Sequence, residues 1–243
     1  MHTGTLRILR IIVSLLFFAT IALLFLDFTG TIYGHASHLF LHLQFVPSAI
    51  QFASSLALAA IGFILIILLT LLFGRVYCSS FCPLGTLQDL FGFLSRKLNP
   101  RRKTFKHKKP LTWLRYSILA LVILSLLTGS ILLLNLLDPY STFGKIFGNF
   151  FRPLLVAVNN LTSIALSHAD IYWLPRIKWV VVNRAALLLA LTWIIILVIM
   201  SVKHGRLYCN TLCPVGTLLG LFARFSIFRI TLDKTNCNSC GKC

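Results

Sequence analysis

Seven cysteines fall in three groups and nowhere else: Cys78 with Cys82, Cys209 with Cys213, and Cys237 with Cys240 and Cys243. A solitary cysteine is usually a small buried apolar residue, but spaced groups point to shared sulfur chemistry. The first two groups share the pattern C-x3-C-P. A proline directly after the second cysteine lacks an amide hydrogen, which the first turn of a helix tolerates. Cys82 and Cys213 are therefore expected at the N-caps of short amphipathic helices. In the first of these, Leu84, Leu87, Phe91 and Leu94 are expected to face apolar surroundings while Arg96 and Lys97 snorkel. A helix N-terminus and a nearby arginine both favour thiolate, the form that binds metal. Brought together, the two pairs would supply four sulfurs. That set suits an iron–sulfur cluster or other redox metal, a tetrahedral zinc site, or a pair of redox-active disulfides, and spacing leaves all three open.

The third group, Cys237-Asn238-Ser239-Cys240-Gly241-Lys242-Cys243, reads C-x2-C-x2-C. This is the opening of the bacterial ferredoxin run C-x2-C-x2-C-x3-C-P, in which the first three cysteines hold one 4Fe-4S cluster. Three ligands stand in the sequence, so the protein is expected to continue past Cys243, the alternative being a partner that supplies the rest.

The elements that must position these sulfurs are apolar. Of 243 residues 58% are hydrophobic and only 12% are charged, with a mean hydropathy of +0.89. A soluble domain carries about 25% charged residues, so lipid is the expected solvent. Four stretches have the length of a membrane span: about 6–26, 49–73, 116–137 and 179–202. No small-x-small cleavage site follows the first, so it is read as a retained span rather than a signal peptide. The 23 Lys and Arg face only 5 acidic residues, all Asp. With the N-terminus inside, segments 1–10, 75–115 and 203–243 hold 18 of the basic residues. This positive-inside bias puts the N-terminus and the cysteine motifs on the cytoplasmic side. The run from Arg101 to Lys109 lies between two spans and suits anionic headgroups; nucleic acid is not an expected partner.

The chain is also duplicated. Gly74-Arg75-Val76-Tyr77-Cys78-Ser79-Ser80-Phe81-Cys82-Pro83-Leu84-Gly85-Thr86-Leu87 returns 131 residues later, from Gly205 to Leu218, with nine identical positions. Leu26-Asp27 closes the first span as Leu137-Asp138 closes the third. The expected fold is all-α: four transmembrane helices in two tandem two-span repeats, related by a pseudo-two-fold axis along the membrane normal. The expected divisions are 1–98, a basic linker 99–110, a second repeat 111–228, and the start of a ferredoxin-type segment at 229–243.

The aromatic-rich segments 28–48 and 138–178 are expected to lie along the outer interface as short helices or turns. His35, His38 and His42 would share one helical face, as a haem or metal site, a proton relay, or simply a polar interface stripe. Asp27, Asp138 and Arg184 are expected where headgroups solvate them, Asp138 ending a helix before Pro139. Tyr77 and Tyr208 are read either as interfacial anchors or as lining the sulfur site.

A four-span core with two GR-x-YC-x3-CP motifs, at 74–83 and 205–214, followed by ferredoxin cysteines, resembles the membrane-bound polyferredoxin family. That family includes the NapH-type quinol dehydrogenase membrane subunit, the NosR-type regulator and related oxidase-assembly proteins. The resemblance implies an electron-transfer subunit of a quinol-dehydrogenase-like complex in the bacterial cytoplasmic membrane. Its implied partners are the bilayer, quinol and a redox protein. It implies 4Fe-4S clusters held by Cys78, Cys82, Cys209 and Cys213 and by Cys237, Cys240 and Cys243, which would serve as cofactor and metal ligands. The readings kept beside it are a metal-handling assembly factor for a respiratory metalloenzyme and a membrane thiol–disulfide relay.

Overall fold

Long runs of Leu, Ile, Val and Phe without internal charge can satisfy their backbone in lipid only as helices or closed barrels. The computed structural model describes residues 3–27, 40, 43–54, 60–98, 112–167, 175–179 and 183–228, and among these it is all-helical with no strand. In chain order the helices are α1 Thr3–Leu26, α2 Phe45–Ser54, α3 Ala60–Phe73, α4 Pro83–Leu98, α5 Thr112–Leu127 and α6 Leu132–Leu137. They continue with α7 Pro139–Ile146, α8 Arg152–Ser167, α9 Arg184–His204, α10 Leu207–Thr211 and α11 Pro214–Phe222. Two single π-helical turns, Tyr77–Phe81 and Phe147–Phe151, join α3 to α4 and α7 to α8.

Among the described residues, three helical runs are long and apolar enough to cross a membrane: Ile8–Leu26, Pro139–Ser167 and Arg184–His204. The apolar helices Ile61–Phe73, Thr112–Leu127 and Pro214–Phe225 are shorter. Leu16 and Leu23 on α1, and Leu188 and Ile195 on α9, point away from the protein. Apolar side chains on the outside cost nothing in hydrocarbon and much in water.

The first expected span coincides with α1. The fourth begins later than its apolar pattern, at Arg184, because the Asn183 side chain caps α9 by accepting from the Ala185 amide at 2.9 Å. Two expectations fail. Residues 116–137 do not make one helix: α5 stops at Leu127 and α6 starts at Leu132. Gly129, at φ +77°, donates to Leu126 O, and the Ser130 amide donates to Ser125 O. Those two bonds are a Schellman motif, which consumes the last carbonyls of α5 and turns the chain. The segment after Asp138, expected as short interfacial helices or turns, is not a set of short pieces either. Asp138 caps α7 by accepting from the Ser141 amide at 2.9 Å, with Pro139 at its first position, and the helix runs on through the π turn into α8, 29 residues in all. Phe143, Phe147 and Phe151 stack along one face of this run, with ring centroids 4.1 and 4.8 Å apart. On that face Phe143 and Phe147 meet Phe18 of α1.

The break at Gly129 yields a test of sign. A Cβ there meets nothing within 4 Å, so only the backbone conformation opposes a larger residue. Gly129→Ala is expected to destabilise the protein by about 1 kcal/mol, read as a lower melting temperature in detergent. Inside one continuous helix the same change would stabilise by about 0.5–1 kcal/mol.

The core lies where α1, α4, α7 and α9 meet, with α4 packed on α1, α7 and α9. The end of the chain's described part closes on the first half. Ile227 and Phe228 amides donate to Leu71 and Leu72 carbonyls at 2.9 Å, and Phe228 stacks on Phe73.

Candidate cofactor site: four thiols from two motifs

Both motifs fold the same way. Gly74 and Gly205 end α3 and α9 at φ +76° and +69°, each donating to the carbonyl four residues earlier. The chain then turns, and the second cysteine's amide donates back to the tyrosine carbonyl: Cys82 N to Tyr77 O and Cys213 N to Tyr208 O, both 3.0 Å. Cys82 and Cys213 have nearly the same extended backbone, at φ −79°, ψ 115° and φ −74°, ψ 117°. As the proline spacing implies, each precedes a helix beginning Pro83 or Pro214. Cys213 is a true N-cap: its sulfur accepts from the Gly216 amide at 3.3 Å. Thr86 and Thr217 hydroxyls donate to the Cys82 and Cys213 carbonyls, fixing the first turn.

The glycine after each proline has a steric reason. A Cβ on Gly85 would lie 2.6 Å from the Cys78 carbonyl oxygen, and one on Gly216 would collide with the Cys209 carbonyl. Each capped helix therefore rests directly on the backbone of its own first cysteine.

The structure brings Cys78, Cys82, Cys209 and Cys213 together from residues 131 apart in the chain. Each of the six pairs among them interacts electrostatically, and all four are free thiols. Cys82, Cys209 and Cys213 are buried and Cys78 is half-buried. Among the described residues, no three His, Cys, Asp or Glu side chains gather around a point the size of one ion. The donor set, four free thiols drawn two from each motif, fits an iron–sulfur cluster.

The expected depression of the thiol pKa does not occur. Burial, followed by the neighbouring Cys78, pushes Cys209 up to about 12, although Arg206 opposes it. Burial raises Cys78 as well, with Arg75 and Arg206 pulling the other way. Desolvation of a charged sulfur outweighs the helix terminus and the arginines. Burial therefore favours the protonated thiol, and metal binding at these sulfurs would release protons.

Reciprocal polar contacts clamp the motifs to each other. Arg206 grips Asp89 through Nε and a second nitrogen, the first at 2.7 Å, while Arg75 donates to Asn210 Oδ1 at 3.0 Å and lies against Gly220. Gly220 stands 131 residues after Asp89, so each motif's arginine reaches the corresponding place in the other half. Sequence reading missed these partners; extending the duplication past Leu87 would have exposed the Asp89–Gly220 asymmetry.

Tyr77 and Tyr208 are buried and are not interfacial anchors. Tyr77 OH donates to Gln44 Oε1 at 3.0 Å and accepts from the Phe45 amide at 3.1 Å. Tyr208 OH donates to Leu137 O at 2.9 Å. Each ties its motif to the segment following the preceding span. Asp138 is only 3% exposed, so it is not solvated by headgroups as expected, whereas Arg184 is exposed. Asp138 lines a cavity of about 690 Å³ with Phe25, Ile50, Leu134, Tyr140 and Lys145. Cys237, Cys240 and Cys243, the three histidines His35, His38 and His42, and the basic run 101–109 lie outside the described residues.

A 4Fe-4S binding domain matches this chain twice, over residues 56–101 and 186–232, each stretch containing one C-x3-C-P motif. The ferredoxin-type protein NapH of Haemophilus influenzae is 27% identical over 77% of this chain and 52% of its own length. The methylamine utilization ferredoxin-type protein MauN of Paracoccus denitrificans is 28% identical over 76% of this chain and 52% of its own. YccM of Escherichia coli, whose name describes an electron transport protein, is 26% identical over 79% and 46%. The chain spans about half the length of the curated relatives it matches. No solved structure matches. The resemblance carried by the two motifs holds: the relatives are ferredoxin-type proteins that include NapH.

Proposed function

We propose that this chain, a relative of the NapH-type ferredoxin proteins, is a membrane-anchored iron–sulfur electron carrier that links quinol to a redox partner. The observation that carries this reading is the meeting of four free thiols, two from each C-x3-C-P motif, in one buried space. Cys78, Cys82, Cys209 and Cys213 would hold the membrane-proximal cluster, and Cys237, Cys240 and Cys243 would be ligands of a second. A bound cluster supplies reversible one-electron storage.

The chain's own residues shape that centre. Four thiolates concentrate negative charge, and Arg75 and Arg206 stand near enough to offset part of it. Apolar neighbours exclude water and so strengthen these interactions. The reciprocal contacts of Arg75 and Arg206 favour a pseudo-two-fold arrangement of tandem repeats, with the four sulfurs at the axis. Quinol oxidation releases two electrons and two protons. The cavity beside Asp138 is lined by apolar residues such as Phe25, Ile50 and Leu134 together with polar ones such as Asp138 and Lys145, the mixture a quinone site requires, and Asp138 is electrostatically coupled to Tyr77, the neighbour of Cys78. A cytoplasmic-membrane location with the motifs inside rests on the positive-inside count.

Burial weighs against the thiol–disulfide relay. A thiol raised to about 12 is ionised in only about one molecule in ten thousand at pH 8, which makes a poor nucleophile. Metal-free protein is therefore expected to react slowly with iodoacetamide at Cys82, Cys209 and Cys213. Anaerobically purified protein, by contrast, is expected to contain iron and acid-labile sulfide and to show a reducible EPR signal. Protein prepared that way without iron would sink this function.

A further inference from the structure

Gln88 is a carboxamide where the fold asks for a hydrocarbon. It sits on α4, six residues beyond Cys82, and is 1% exposed. Its counterpart in the second repeat, 131 residues later, is Leu219, 0% exposed. The buried environment thus accepts leucine on one side and holds glutamine on the other. Gln88 Oε1 receives the Cys209 thiol at 3.8 Å, while Nε2 is buried with no hydrogen-bond partner among the described residues. An unpaired buried amide is destabilising, and such groups in native proteins call for a partner that completes them. Asp89, the next residue, is gripped by Arg206, so this face of α4 is held against the Cys209 motif.

We propose that Gln88 is a positioning residue that donates an N–H···S hydrogen bond to the sulfur centre and sets its reduction potential. This rests on the iron–sulfur reading above. A protonated thiol donates to a carbonyl, but a metal-bound thiolate accepts, so the interaction at Cys209 must reverse on metal binding. A glutamine can serve both states, because turning its amide exchanges oxygen for nitrogen. Leucine can serve neither. Adding an electron places more negative charge on the sulfurs, so a donor stabilises the reduced state more than the oxidised one and raises the potential. The duplicated site then has one tuned half and one untuned half.

The test is a redox titration followed by EPR on full-length protein purified anaerobically, with iron and labile sulfide measured in parallel. Gln88→Leu, which copies the chain's own solution at position 219, is expected to keep its iron and to lower the midpoint potential. The expected size is about tenfold in the reduction equilibrium, about 59 mV for one electron. Leu219→Gln, which adds a donor at the corresponding position, is expected to shift it upward. An unchanged potential in both variants with iron retained would overturn the proposal. So would loss of iron from Gln88→Leu, which would make the residue a scaffold only. If the unaltered protein holds no iron, the iron–sulfur reading fails before Gln88 is tested.

Discussion

Replacing Cys209 by alanine is expected to reduce iron at the centre shared by the two C-x3-C-P motifs to background. Cys209 stands in electrostatic contact with Cys78, Cys82 and Cys213, so its sulfur is one of four that the two motifs bring together. Loss of residues that merely support metal ligands typically costs about 10–100-fold in affinity or activity, and loss of a ligand should exceed that. Alanine removes a buried sulfur without adding bulk, so the apoprotein should still insert and fold. Cys240→Ala is expected to behave differently, removing only the second centre and leaving the first EPR signal intact. The measurement is iron per chain and EPR after dithionite reduction. Full iron and an unaltered spectrum in Cys209→Ala would show that the two motifs do not share a centre.

Gly216→Ala should do nearly as much damage without touching a sulfur. In an ordinary helix the change from glycine stabilises by about 0.5–1 kcal/mol. Here the new methyl group would collide with the Cys209 carbonyl, a backbone atom that cannot rotate aside. Either α11 lifts off the Tyr208–Cys213 turn, or the turn moves. Overpacking of this kind costs about 1–3 kcal/mol, and both routes displace Cys213, whose sulfur is bonded to the Gly216 amide itself. The expected result is a lower melting temperature together with lost or substoichiometric iron. Gly85→Ala should act alike through the Cys78 carbonyl, while Gly148→Ala, with nothing within 4 Å of its added carbon, should be close to neutral. Retention of melting temperature and iron in Gly216→Ala would mean that the helix does not rest on its first cysteine.

The local conformation of the sulfur motifs was largely legible from residue order. Proline after cysteine announced the helix start, and helices begin at Pro83 and Pro214. The first and fourth spans were legible for a similar reason, since an uninterrupted apolar run has only the helix available in lipid. Residues 116–137 were misread because hydropathy counts Gly129 and Ser130 as tolerable, whereas the Schellman bonds across Thr128–Ser130 end the helix there. The length of the Pro139–Ser167 run was missed because its aromatic residues suit short interfacial pieces; its one proline beyond the first position is Pro153. It falls at the start of α8, directly after a π turn, where the helix can absorb it.

Residue types and spacing thus decided that this protein is helical, lipid-facing, internally duplicated and supplied with paired sulfurs. They did so because those properties are encoded within a few residues or by exact recurrence. Only the tertiary structure decided that the pairs meet, that burial rather than the arginines governs their protonation, and that Gln88 stands beside Cys209 where Leu219 has no such partner. Proximity and desolvation depend on what distant segments place nearby, and no local pattern carries that information.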